Sequence, residues 1–383
     1  MKKILYVTGS RAEYGIMKRL LVEMREDSDI NLSIIATGMH CDENYGLTYK
    51  NIENDGFEIE KLISINIDTK NNATILKTMS NCMYEFGNYF QTHCYDAIIL
   101  LGDRYEIFSV ASAAAMHNLP IIHLHGGEQT LGNYDEFIRH SITKMSRLHL
   151  ASTEEYRNRI IQMGECPSTV FNIGALGAEN SLSMLLPSRE VLENKFGSLS
   201  KDYFMVVFHP ETLTTTPLID QVMELLSALV EFTKRYDFIF IGSNSDTGSN
   251  EISAEITKFC KKTNSRYLKS VTPEEYLSFN LYSKGLIGNS SSGLIEIPTL
   301  KVPTINVGDR QKGRVRGCSV IDTKCNRNDI INAINKSQSH EFIGIVAESI
   351  NPYLKKDSLK MAINIIKEFL WNDQSNYKKF YDL

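Results

Sequence analysis

A chain of 383 residues exceeds what one hydrophobic core usually organises, so two domains of similar size are expected. Hydrophobic residues at 42% and charged residues at 23% are ordinary for a globular protein, which excludes global disorder and leaves apolar material for two cores. The 41 basic and 46 acidic side chains leave a formal charge of -5; that excludes a bulk electrostatic pull towards nucleic acid or anionic membrane, and any phosphate ligand must meet a local basic site.

After Met1, Lys2 and Lys3 the apolar run spans only Ile4–Val7, too short for a signal-peptide core. No uncharged stretch approaches the ~20 residues of a membrane span, so a cytoplasmic protein is expected. Seven cysteines without a CxxC pair, an odd number, fit reduced thiols.

Short β-branched and aliphatic runs then recur: Ile4–Val7, Leu32–Ala36, Ala97–Leu101, Pro120–Leu124, Leu148–Leu150 and Val170–Ile173. Between the first two, Ile16, Met17, Leu20, Leu21 and Met24 repeat at helical spacing, which predicts a parallel sheet wound with helices. The rhythm lapses over Leu176–Lys201, where Gly177, Pro187 and polar residues place the inter-domain linkage. A second series follows, with strands at Tyr203–Phe208, Phe238–Ile241, Tyr267–Val271, Gly285–Ile287, Thr304–Val307 and Ser319–Ile321 and a helical pattern at Ile219–Phe232. From Lys355, the residues Leu359, Ala362, Ile363, Ile366, Phe369 and Leu370 share one helical face that can pack back on the first domain. The expectation is α/β, with two doubly wound Rossmann-like domains facing a cleft: residues 1–185 joined by a C-terminal helix in 355–383, and residues 186–354.

In open parallel sheets, ligands gather beyond the carboxyl ends of the strands. Five strand-terminal loops there are rich in polar groups. The first, Thr8–Gly15, turns on glycine into a helix whose free N–H groups favour an anion, and Arg11 can grip a diphosphate bidentately, although a capping loop with a solvated arginine reads equally well. It matches neither a dinucleotide GxGxxG nor a Walker A pattern. The second, Gly102-Asp103-Arg104, brings a carboxylate and a cation to the same edge, as working groups or as a structural ion pair.

His123, His125 and Glu128 in HLHGGE form the third, followed by Asp135-Glu136 and Arg139-His140; residues 123 and 125 should face the same side of a strand. No third ligand at a recognised spacing accompanies these imidazoles, so no metal is assigned and acid–base chemistry is the better use. In the fourth loop, His209 of HPET can meet a phosphate or leaving oxygen, or simply be a hydrogen-bonded structural histidine. The fifth, Gly288–Glu296, offers Ser290, Ser291, Ser292 and Gly293 as a phosphate cradle, with Glu296 one turn into the next helix to accept ribose hydroxyls. Gly242 and Asn244, and Arg310 in the run from Asp309 to Arg314, add polar and basic groups.

Taken in order, TGSRAEYG, TGMHCDENYG, LGDRYE, HGGE, DEFIRHSITKMS, HPET, GNSSSGLIE and NVGDRQKGR resemble, over essentially the whole chain, the hydrolysing UDP-N-acetylglucosamine 2-epimerases of bacterial sialic acid and capsule synthesis. The resemblance implies a fold like that of the B-type glycosyltransferases, with UDP held mainly by the second domain. It implies Asp103 and Asp135 as catalytic carboxylates, His209 as a catalytic histidine, and Arg11, Ser290, Ser291 and Glu296 as diphosphate and ribose contacts. Arg104, Gly242, Asn244, Ser292, Gly293 and Arg310 complete the expected substrate-binding set. One position departs: relatives often read HxEGGE where this chain has His125, and the spacing to DEFIRH is one residue longer. Either Glu128 takes that role, His125 performs it as a different acid–base group, or the assignment does not transfer; both residues are placed in the site.

The implied reaction takes UDP-N-acetylglucosamine and water to UDP and N-acetylmannosamine, with no cofactor. The C2 proton is barely acidic, so UDP must depart first, leaving positive charge at C1 that acidifies C2–H. Rival readings are a non-hydrolysing epimerase, a glycosyltransferase or hydrolase on a related UDP-sugar, and a sensor without turnover. Expected partners are the UDP-sugar and UDP, not nucleic acid or membrane, with a homodimer or homotetramer as the assembly.

Overall fold

Most of the β-branched and aliphatic runs form a strand followed by a helix, and this alternation builds two parallel sheets. A computed structural model describes residues 1–131, 133–211, 216–242, 249–372 and 377–382. The chain divides into two compact units. Unit 1 comprises Met1–Glu128, Asp135–Leu176 and Lys355–Leu383; unit 2 comprises Gln129–Tyr134 and Gly177–Leu354.

Unit 1 runs β1 (Lys2–Thr8), α1 (Arg11–Glu26), β2 (Ile30–Thr37), α2 (Tyr49–Asn54), β3 (Lys61–Ile63), α3 (Asn72–Phe90), β4 (Ala97–Leu101), α4 (Tyr105–Met116), β5 (Ile121–Leu124), α5 (Asp135–Met145), β6 (Leu148–Ala151), α6 (Glu154–Gln162) and β7 (Val170–Asn172). Its seven strands lie in the order β3-β2-β1-β4-β5-β6-β7, all parallel. The sheet therefore winds outward from β1 in both directions, and the carboxyl ends of β1 and β4 meet where the strand order reverses.

Past the crossing, α7 (Leu176–Ser183) and α8 (Arg189–Phe196) occupy the stretch read as linkage. The contact division falls at Leu176–Gly177, ahead of the expected 185–186, and the loop Gln129–Tyr134 goes with unit 2. Unit 2 continues with β8 (Tyr203–Val207), α9 (Leu218–Val230), β9 (Asp237–Ile241), α10 (Ser249–Lys262), β10 (Arg266–Leu268), α11 (Pro273–Leu281), β11 (Leu286–Gly288), α12 (Ser292–Ile295), β12 (Thr304–Val307), β13 (Val320–Thr323), α13 (Arg327–Ser337) and α14 (His340–Glu348). Its six parallel strands are ordered β10-β9-β8-β11-β12-β13. The reversal lies between β8 and β11, whose ends carry His209 and Ser290.

The helix α15 (Ser358–Trp371) returns to unit 1, and its Leu359, Ala362, Ile366, Phe369 and Leu370 join the core formed by β1, β2, β4 and α1. The apolar face read from the sequence is the buried face. Among the described residues, no helix is long and apolar enough to cross a membrane. All seven cysteines are free thiols.

Candidate functional site

In unit 1 the loop after β1 is closely fitted. Ser10 caps α1, and the Glu13 side chain reaches back to accept from Gly9 N (2.7 Å) and Ser10 N (3.0 Å), a reciprocal capping box. Arg11 opens α1 and is half-buried. A Cβ on Gly9 would lie 2.8 Å from Oε1 of the fully buried Glu106, so only glycine lets the loop pass this carboxylate. Burial, and then the charge of Glu106, push Glu13 up to about 8.

The loop after β4 carries Asp103 and Arg104, which take separate partners. Arg104 Nε donates to Glu106 Oε1, whereas Asp103 Oδ2 accepts from Nη2 of Arg139 on α5. Arg139 is fully buried, and its Nη1 also donates to the Glu128 carbonyl (2.8 Å) and to Glu136 Oε2 (3.3 Å). This one guanidinium gathers the loops after β4 and β5 onto α5. Glu136 in turn accepts from His140 Nε2 (3.2 Å), and Asp135 opens the helix.

The two histidines of HLHGGE do not share a strand face. His123 ends up fully buried in β5: its Nε2 donates to the Gly102 carbonyl (2.8 Å), its Nδ1 meets Thr143 Oγ1 (3.2 Å), and burial pushes it down to about 3. It is a neutral structural histidine. His125 lies beyond the end of β5 in left-handed backbone, φ 64°, so the alternation that would pair it with His123 has already broken. Strain of this kind in a non-glycine residue persists only where surrounding contacts hold it. Here His125 Nδ1 lies 3.0 Å from Glu128 Oε1, which also accepts from Ser152 Oγ at 2.7 Å. The other ring nitrogen, Nε2, is buried and has no partner among the described residues.

In unit 2 the geometry centres on Asn289. Its fully buried amide accepts from His209 N (2.7 Å) and donates to His209 O (2.8 Å), which fixes the HPET loop to the end of β11. The Asn289 carbonyl accepts from Gln311 Nε2 (2.8 Å) and Arg310 Nη1 (3.3 Å), tying the third loop to the same point. Gly288 has φ 136°, and a Cβ there would fall 1.9 Å from Val207 O, so no other residue fits between β8 and β11. Ser292 Oγ is shared between Tyr276 Oη (2.5 Å) and Ser290 Oγ (3.0 Å), while Ser291 precedes α12. A Cβ on Gly293 would lie 2.7 Å from Thr304 Cγ2.

Glu296 does not sit inside a longer helix as expected. The helix α12 ends at Ile295 with Glu296 as its C-cap, and Pro298 lies just beyond, which disfavours continued α geometry. Gly242 closes β9, its N–H donating to Leu268 O at 2.9 Å. Asn244 lies outside the described residues. Arg139, Asn289 and Gln311 stand in segments singled out from sequence but were given no connecting role there, and Ser152 and Tyr276 were not singled out; of the five, only Arg139, three positions after Glu136 on a helix, left a readable signal. Among the described residues no group of three or more His, Cys, Asp or Glu is placed to hold a metal ion.

Each unit is a doubly wound α/β domain with polar loops at the carboxyl ends of its strands, the place where open parallel sheets bind their ligands. The chain belongs to the UDP-N-acetylglucosamine 2-epimerase family, whose model matches residues 22–367. It is 60% identical over 383 residues to the polysialic acid biosynthesis protein P7 of Escherichia coli, covering 100% of this chain and 98% of that protein. It is 38% identical over 344 residues to a GDP/UDP-N,N'-diacetylbacillosamine 2-epimerase (hydrolyzing) of Campylobacter jejuni, covering 89% and 88%. A crystal structure of the UDP-GlcNAc 2-epimerase of Neisseria meningitidis bound to UDP-GlcNAc superposes with a TM-score of 0.80 at 15% identity, covering 96% of this chain and 100% of that one, a likeness of fold.

Proposed function

We propose that the chain is the hydrolysing form of the epimerase, converting UDP-N-acetylglucosamine and water into UDP and N-acetylmannosamine, the first step of sialic acid synthesis. The observation that carries the reading is the cluster in unit 1, where Asp103 and Glu128 are fixed by one buried arginine and His125 keeps an open ring nitrogen. A reaction that takes a proton from one face of C2 and returns one to the other needs two separate acid–base groups. Relatives whose names carry the hydrolysing activity support the same choice.

In the first step the C1–O bond breaks and its electron pair leaves with the diphosphate. Arg11, Arg310, His209 and the Ser290–Gly293 loop are the groups assigned to that charge, and Arg104, Gly242 and Asn244 are the further substrate contacts of this reading. Glu296 accepts from the ribose hydroxyls. A carboxylate, Asp103 or Asp135, takes the C2 proton, and the C–H pair becomes the C1=C2 bond of 2-acetamidoglucal. Glu128 or His125, entering this step in its protonated form, then gives its proton to the opposite face of C2 while water adds its hydroxyl to C1 and releases its remaining proton to solvent, from which the donor is reprotonated. The sum of the steps balances without an oxidant or reductant.

Proton NMR of the purified protein with UDP-N-acetylglucosamine in deuterated water containing EDTA tests this. Free UDP with N-acetylmannosamine deuterated at C2 is the expected result. UDP-N-acetylmannosamine would show a non-hydrolysing enzyme, and UDP with undeuterated N-acetylglucosamine would reduce the reaction to glycosyl hydrolysis.

A further inference from the structure

In unit 2 the loop between β11 and α12 carries Ser290, whose hydroxyl ends a chain of three. Tyr276 Oη meets Ser292 Oγ at 2.5 Å, and Ser292 Oγ meets Ser290 Oγ at 3.0 Å. Tyr276 is half-buried on α11, a helix that starts at Pro273 under a capping box of Thr272 and Glu275, and its N–H donates to the Thr272 carbonyl at 2.9 Å. The phenol therefore reaches the loop from a well-anchored element.

Other groups hold the backbone of the loop. The Asn289 side chain ties it to His209, Thr304 Oγ1 donates to the Gly293 carbonyl at 2.8 Å, and Asn351 Nδ2 donates to the Ile295 carbonyl at 2.8 Å. What the phenol adds is the direction in which the serine protons point.

A hydroxyl has one proton and two acceptor sites. Of the three hydroxyls the phenol is the most acidic, so Tyr276 donates to Ser292, and Ser292 places its one proton on Ser290. Ser290 Oγ also accepts from Ser292 N at 3.4 Å. Both acceptor sites of Ser290 are then filled, and its own proton remains for a ligand that meets this half-buried side chain. Such chains are cooperative: each donation polarises the next hydroxyl and makes its proton a better donor. The opposite order would spend the Ser290 proton on Ser292 and turn a lone pair outward, which repels an anion.

We propose that Tyr276 is a positioning residue for the diphosphate: through Ser292 it orients the Ser290 hydroxyl as a proton donor to a phosphate oxygen. This rests on the assignment of Ser290 to the departing diphosphate in the reaction proposed above.

The test is calorimetric titration of the whole protein with UDP, joined to ligand-observed NMR with uridine, which lacks the phosphates. Tyr276→Phe keeps the ring and removes the first proton of the chain; it should weaken UDP about three- to tenfold, the worth of one hydrogen bond, and leave uridine unchanged. Ser290→Ala removes the last donor, and in that background Tyr276→Phe should weaken UDP by less than about twofold further. Ser292→Ala cuts the chain at its middle and serves as a second variant should Tyr276→Phe fail to fold, with the same loss expected. The proposal is overturned by equal UDP affinity in wild type and folded variants, by an equal loss for uridine, which marks plain structural damage, or by losses that multiply in the double variant. A wild type that binds no UDP takes down the diphosphate assignment and the proposal with it. Coupled losses of UDP binding in a protein that releases no N-acetylmannosamine keep the proposal and refute the hydrolysing reaction.

Discussion

Replacing Asn289 by leucine tests whether the unit 2 loops are held as one piece. The substitution keeps the volume close but removes the amide that accepts from His209 N and donates to His209 O. Both backbone groups lie in a residue that is 6% exposed, so each is left buried and unmade. At about 1–3 kcal/mol for each group, the loss is about 2–6 kcal/mol, concentrated at the ends of β8 and β11. The one tryptophan, Trp371, sits in unit 1 and its fluorescence follows the wrong unit. Hydrogen exchange of peptides covering 203–211 and 286–296 is the direct measure, joined to calorimetric titration with UDP. Exchange should quicken in both peptides together and UDP should bind at least tenfold more weakly, about 1.4 kcal/mol. Unchanged exchange together with unchanged UDP affinity would refute the reasoning, because the amide would then be dispensable to the loop it clamps.

Glu13 has a folded-state value raised to about 8 against 4.5 in the open chain, so the native state binds the extra proton and stability falls as pH rises across that interval. Glu13→Gln keeps a carbonyl for Gly9 N and Ser10 N, and thermal melts should show the variant gaining on the wild type from pH 5 to pH 8, at up to about 1.4 kcal/mol per pH unit. Glu128→Gln should lower kcat by about 10²–10⁴ while UDP affinity, measured by calorimetry, stays unchanged. Lys378 donates to the carbonyls of Thr143, Lys144 and Ser146 at the carboxyl end of α5, so Lys378→Met should lower the unfolding midpoint by the equivalent of about 1–3 kcal/mol, read by circular dichroism.

Among the described residues, twelve of the thirteen strands were legible because most of them are short aliphatic runs, and runs such as Ala97–Leu101 and Tyr203–Val207 are buried at every residue. The missed one, β3, is a three-residue edge strand with Lys61 and Leu62 exposed, too short and too polar to leave a pattern. Loops bearing the polar residues were found because they follow strands. How those residues pair was not legible: Asp103 adjoins Arg104 in the chain, yet it bonds to Arg139, whose position depends on where α5 packs. His125 looked like a strand residue because composition does not register a left-handed turn at a non-glycine position.

The return of α15 to unit 1 has a consequence for how the molecule is made. Residues 177–354 supply every strand of unit 2 in one unbroken stretch, so its sheet can close while synthesis continues. Unit 1 begins first and is finished last: its core keeps an apolar gap until Leu359, Ala362, Ile366 and Phe369 emerge. During translation the earlier half of the chain therefore waits on the final helix, and a ribosome stalled before residue 355 leaves the apolar surface of α1 open to chaperones and proteases.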